Sequence, residues 1–106
     1  MTITNDSAKT IQIDHPEASY GIFCFNSIGD LFINSDWGFY AYSWRSFGNS
    51  FEEFLSTCNS DYLIKKLEIT HSQNGTKLYP NQKKNLIILI EEFINVLRKK
   101  MQSQNS

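Results

Sequence analysis

A chain of 106 residues, 41% hydrophobic and 20% charged, has the length of one domain and is too apolar to stay disordered. Its net charge of −1 excludes a general nucleic-acid binder, whose surface would be clearly basic. Its longest apolar run, Leu86 to Ile90, has five residues, against the roughly 20 that a membrane span requires.

Residues 1–8 are polar and read as a loose arm. The opening Met1-Thr2-Ile3-Thr4-Asn5-Asp6 has neither a basic start nor an apolar run, so the chain is expected to be intracellular. From Lys9 to His15 apolar and polar residues alternate, with Ile11 and Ile13 on one side, as in a half-buried strand. His15-Pro16-Glu17-Ala18 is a turn, because the residue before a proline is pushed out of the helical region. Ser19 to Asn26 forms the second strand, Asn26 to Asp30 the next turn, and Leu31 to Asn34 a short third strand. Loops this short imply an antiparallel meander.

After the turn at Ser35-Asp36-Trp37-Gly38 comes an aromatic strand, Trp37 to Arg45, in which five of nine residues are aromatic. Tyr40, Tyr42 and Trp44 share one face; Trp37 and Phe39 share the other with Ala41 and Ser43. Ser50 with Glu53 is a capping box, and Phe51, Phe54, Leu55 and Cys58 repeat at helical spacing behind it. Asn59-Ser60-Asp61 offers fresh caps for a second short helix through Leu63, Ile64 and Leu67. A polar loop is expected over 71–76 with a turn at Asn74-Gly75, then a brief strand over 76–79. Pro80 or Asn81 opens the last helix. Leu86, Leu89, Ile90, Phe93 and Leu97 make its apolar stripe, and residues 102–106 are expected to fray. The whole reads as a single α+β domain over 1–106: a three- to four-stranded antiparallel sheet with two short helices and a long C-terminal helix.

Catalytic and ligand-binding constellations are missing from this pattern. The five glycines are scattered, so no phosphate loop forms. Two cysteines and two histidines lie too far apart for metal-ligand spacing. Cys24 and Cys58 sit among apolar residues and read as buried, reduced thiols, with a disulfide between them as the alternative. An enzyme would have to bring one of these thiols to His15 or His71 in space. The expectation is therefore a protein without catalytic residues, metal or cofactor.

What remains is surface chemistry. Residues 1–61 hold eight acidic against two basic side chains, a net −6; residues 62–106 hold three acidic against eight basic, a net +5. Such a split suggests a charged contact, or merely solvated faces of different sign. Trp37, Tyr40, Tyr42, Trp44 and Arg45 are residue types that dominate interface hot spots. The competing reading puts these aromatics in the core, with at least one strand face partly exposed. Ile87, Ile94 and Met101, at seven-residue spacing, could form a seam for self-association.

The run Ser35-Asp36-Trp37-Gly38-Phe39-Tyr40-Ala41-Tyr42-Ser43-Trp44-Arg45-Ser46-Phe47-Gly48, then Phe51-Glu52-Glu53-Phe54-Leu55 and Asp61-Tyr62-Leu63-Ile64-Lys65-Lys66-Leu67, resembles small proteins of bacteriophages and prophages. The resemblance covers about residues 30–70. It implies a phage protein in the cytoplasm of its host cell, of the kind that includes inhibitors of host defence such as anti-CRISPR proteins. Such a protein would occupy a surface of a host protein, a CRISPR effector for example, or its nucleic-acid channel. Contact with nucleic acid itself or with a membrane is not expected. On that reading Asp30, Asp36, Glu52, Glu53 and Asp61 would face basic groove residues, while Trp37, Tyr40 and Tyr42 anchor the contact. The alternative is a small assembly protein that dimerises through its last helix.

Overall fold

The computed structural model describes residues 8–73 and 78–104. Four strands, β1 (Lys9–His15), β2 (Ser19–Phe25), β3 (Asp30–Ser35) and β4 (Gly38–Ser43), precede three helices, α1 (Phe51–Thr57), α2 (Ser60–Gln73) and α3 (Pro80–Gln104). The strands pair antiparallel in the order β1-β2-β3-β4, the meander that the short loops imply.

Each turn is closed by a side chain of its own. His15 Nδ1 accepts from the Glu17 and Ala18 N–H groups at 3.1 and 3.4 Å. Asn26 Oδ1 accepts from Ile28, Gly29 and Asp30 at 3.0–3.1 Å, so one short polar side chain satisfies three donors. Gly29 has φ +111°, and a Cβ there would collide with the Trp44 carbonyl; only glycine fits. Ser35 Oγ accepts from Trp37 N–H at 3.2 Å and donates to Gly38 O at 2.8 Å.

Alternation along the strands sends one set of side chains toward the helices. Ile13, Phe23, Phe25, Leu31, Ile33 and Tyr40 lie buried there against Leu55, Leu63, Leu67, Leu89, Ile90, Phe93 and Leu97. α3 runs under β1 and β2, α2 lies under β4, and α1 packs on α3. Close approach needs a small residue on β2: a Cβ at Gly21 would sit 3.2 Å from Leu89 Cδ1. Phe23 stacks on Phe93 with ring centroids 4.3 Å apart and planes 10° apart. A second aromatic group joins Trp44, Phe47, Phe51, Phe54 and Tyr62, where the chain passes from sheet to helices.

Ser50 caps α1 as expected, accepting from Glu53 N–H at 3.3 Å. Asn59 caps α2 through Tyr62 N–H at 2.8 Å. Two expectations are corrected. α2 does not give way to a loop at residue 71; it continues to Gln73. Leu78 and Tyr79 are not in a strand. α3 is helical to Gln104. The rest of the strand expected over 76–79, the Asn74-Gly75 turn, the arm over 1–7 and the last two residues lie outside the described residues.

Candidate functional site

The anticipated contact residues divide by burial. Tyr40 and Trp44 are only 2% and 7% exposed, which removes both from the expected contact residues, Tyr40 as an anchor among them, and agrees with the competing reading that put them in the core. They face the helices because their row in β4 continues the inward row of β3 through the pairs Leu31–Tyr42 and Ile33–Tyr40. Burial raises the Tyr40 phenol above its ordinary value, and its hydroxyl donates to Trp37 O at 2.6 Å. Trp44 Nε1 donates to Tyr62 OH at 3.1 Å. Tyr42 is half-buried beside Trp44, with Lys66 Nζ 5.8 Å from its ring. Trp37 is half-buried and pinned, its Nε1 donating to Ala18 O at 2.6 Å.

The carboxylates divide in the same way. Asp30 accepts from Asn26, Ser43 and Arg45, and these bonds, with the Arg45 charge, hold its carboxyl at about 2. Glu52 lies between Lys9 and Lys100 at 3.2 and 3.1 Å. Partial burial works to raise its pKa, but the two ammonium groups outweigh that and lower it. Neither is a free acid awaiting a cation. Asp36, Glu53 and Asp61 are exposed, and no described residue forms a salt bridge with them.

The expected seam on α3 is broken. Ile94 is 3% exposed and belongs to the core; Ile87 and Met101 are half-buried. α3 is covered on this side because its apolar stripe is wide enough to meet both the sheet and α1.

Cys58 and His15 are held within the fold, whereas Cys24 is half-buried on the sheet face away from the helices, which corrects its reading as a buried thiol. Cys24 and Cys58 are free thiols. Cys58 is buried and donates to Phe54 O at 3.3 Å, and burial pushes its pKa up despite nearby Arg98. His15 uses Nδ1 in its turn; the side chain of His71 lies outside the described residues. Between the start of α2 and α3 is an open hollow of about 290 Å³ bordered by Glu91 and Arg98. Both of its charged groups have partners: Glu91 accepts from Ser60, and Arg98 donates to Ser56 O and Cys58 O.

The surface that stands out is the sheet face away from the helices; the sequence implied a partly exposed face of the aromatic strand but not which one. The second face of the sheet carries Tyr20, Ile22, Cys24, Phe32, Phe39 and Ala41, and no described helix covers it. Phe39 is 61% and Phe32 41% exposed, with ring centroids 6.5 Å apart. Ladder pairing sets two cross-strand rows side by side: Thr10, Cys24, Phe32 and Ala41, then Gln12, Ile22, Asn34 and Phe39. No charged side chain stands in either row. Charge begins at the ends, with Asp14 and Asp36 toward one pair of turns and Asp30 with Arg45 toward the other. The signal was present: Phe32 and Phe39 are out of phase with the inward residues of their own strands.

A family model, Phage_phiTE_072, described as a phage family, matches residues 1–104. No curated protein matches the chain, and no solved structure matches it. Among the described residues no helix is long and apolar enough to cross a membrane.

Proposed function

The chain belongs to the phage family Phage_phiTE_072, and we propose that this phage protein works by contact alone, as an inhibitor that occupies the surface of a host defence complex. One observation carries the reading. Asp30 and Glu52 are neutralised by cations of the fold and the Cys58 thiol is buried, while an apolar sheet face bearing two phenylalanines is left open by the described residues. Exposed apolar patches of this kind serve association rather than catalysis. Phage membership supports a host target, and a CRISPR effector is the target class we favour.

Exposed acids supply the charged part of the contact: Asp36, Glu53 and Asp61. They would approach the basic rim of a nucleic-acid channel, speeding encounter and selecting the partner. Asp30 and Glu52 are left out of that role because their cations are already in place.

The test is binding of the purified protein to a purified CRISPR effector over a salt series. Affinity is expected to fall with salt, and the Glu53→Lys, Asp61→Lys pair is expected to weaken it by roughly tenfold or more. Binding insensitive to salt and to both reversals rejects the acidic contact. No inhibition of any effector tried, at concentrations that saturate the chain's own assembly, rejects the target class.

A further inference from the structure

What occupies the open sheet face can be argued from its layout, resting on the reading of that face as a contact surface. We propose that the occupant is a second copy of this chain, packed face to face about a two-fold axis that runs across the strands.

The ends of the face choose the axis. Asp14 and Asp36 lie toward one end, where the β1–β2 and β3–β4 turns meet and Asp36 N–H donates to Tyr20 O at 3.3 Å. Arg45 lies toward the other, its side chain 59% exposed beside Asp30. An axis parallel to the strands would set the acidic ends of two copies against each other. An axis across the strands keeps the acidic ends apart and sets each of them beside the partner's Arg45, whose guanidinium also bonds Asp30.

The same operation exchanges the two central rows, and the exchange fits by size. Phe39 falls over the partner's Ala41, and Ile22 over the partner's Cys24. Phe32 falls over the partner's Asn34. Aligned sheets keep their strand directions within about 30°, so these rows stay roughly opposed. The largest exposed ring of the face thus lies above its smallest side chain, and neither row buries a charge.

Size sets the strength. Four strands of six or seven residues give a footprint of roughly 400 Å², small beside the roughly 800 Å² per partner of a standard interface. The association should be weak and dependent on concentration, in the micromolar range. The other exposed large hydrophobic side chains among the described residues, Ile28, Ile69, Tyr79 and Val96, are scattered over a turn, the segment before α3 and two helices and offer no comparable surface.

Sedimentation equilibrium on the full chain decides it. The mass should rise from 12.3 kDa toward twice that value as concentration increases. Phe39→Asp should weaken association by more than roughly tenfold, because a carboxylate cannot be buried against alanine without a partner. At low concentration, where both chains are monomers, its circular-dichroism melt should stay close to that of the native chain, since that ring is mostly in water already. Asp36→Arg should weaken association, and adding Arg45→Asp to it should restore part of the loss. Val96→Asp, on the exposed side of α3, should change nothing. A chain that stays at 12.3 kDa throughout overturns the proposal, as does a dimer indifferent to Phe39→Asp or one lost in Val96→Asp. A monomer that still inhibits a host effector sinks only the pairing. A dimer that inhibits none sinks the host target and leaves the pairing in place.

Discussion

Asp30 closes the Arg45 end of the sheet. Its carboxylate accepts from Asn26 Nδ2 at 3.0 Å, Ser43 Oγ at 2.7 Å and Arg45 at 2.9 Å. Folding therefore lowers its pKa from the usual 3.8 to about 2. A depressed carboxyl adds stability above its unfolded pKa and loses it as pH falls through the folded one. The contribution should be complete above about pH 5 and gone below about pH 2. Arg45 is more than half exposed, so water screens the pair and the term should be about 1 kcal/mol. Urea unfolding of the native chain and of Asp30→Asn should differ by about that amount at pH 7 and converge near pH 2; a gap that persists in acid refutes the assignment. Pairings of this kind were not legible in the sequence. It shows the negative charge of the first half of the chain, but Lys100 reaches Glu52 from the far end of α3, and only the tertiary fold makes them neighbours.

At the scale of the element, α1 is the instructive case. Seven residues form no stable helix in isolation, so its ends must be held from outside. Ser50 accepts from Glu53 N–H at the start. At the finish Arg98 donates to Ser56 O at 2.8 Å and Cys58 O at 3.1 Å, satisfying carbonyls that a helix end leaves bare. Ser50→Ala should cost about 1 kcal/mol and Ser50→Gly only a few tenths, measured by chemical denaturation. Equal losses in the two variants would show that the hydroxyl bond is not the source. The cap was legible because it is local: Ser50 and Glu53 are three residues apart. So were the bounds of β1, fixed by strict alternation, and the start of α3 at Pro80. The extension of α2 to Gln73 was not. Polar residues were read as loop, whereas a solvated helical turn is built from the same polar residues, and no glycine or proline stops the helix before that point.

For the whole molecule, the decisive matter is which side of the sheet the helices cover. Alternation placed Tyr40, Tyr42 and Trp44 on one side of β4 and Phe39 on the other, but both sides are aromatic and local pattern alone does not choose between them. The choice is made three ways: by β3, whose Leu31 and Ile33 continue the Tyr40 side; by Gly21, which admits Leu89 of α3 to that side of β2; and by the Phe23–Phe93 stack. Two phenylalanine truncations test the result. Phe93 is fully buried between sheet and helices, so Phe93→Ala removes both its transfer energy and the ring stack and leaves a cavity. The loss should be about 3–5 kcal/mol. Phe39 is 61% exposed, and Phe39→Ala should change stability by no more than about 0.5 kcal/mol. The comparison belongs at low protein concentration, where self-association adds nothing to the folded state. Comparable losses in the two variants would mean that the helices cover both sides of the sheet, and the open face would disappear along with the contacts argued from it.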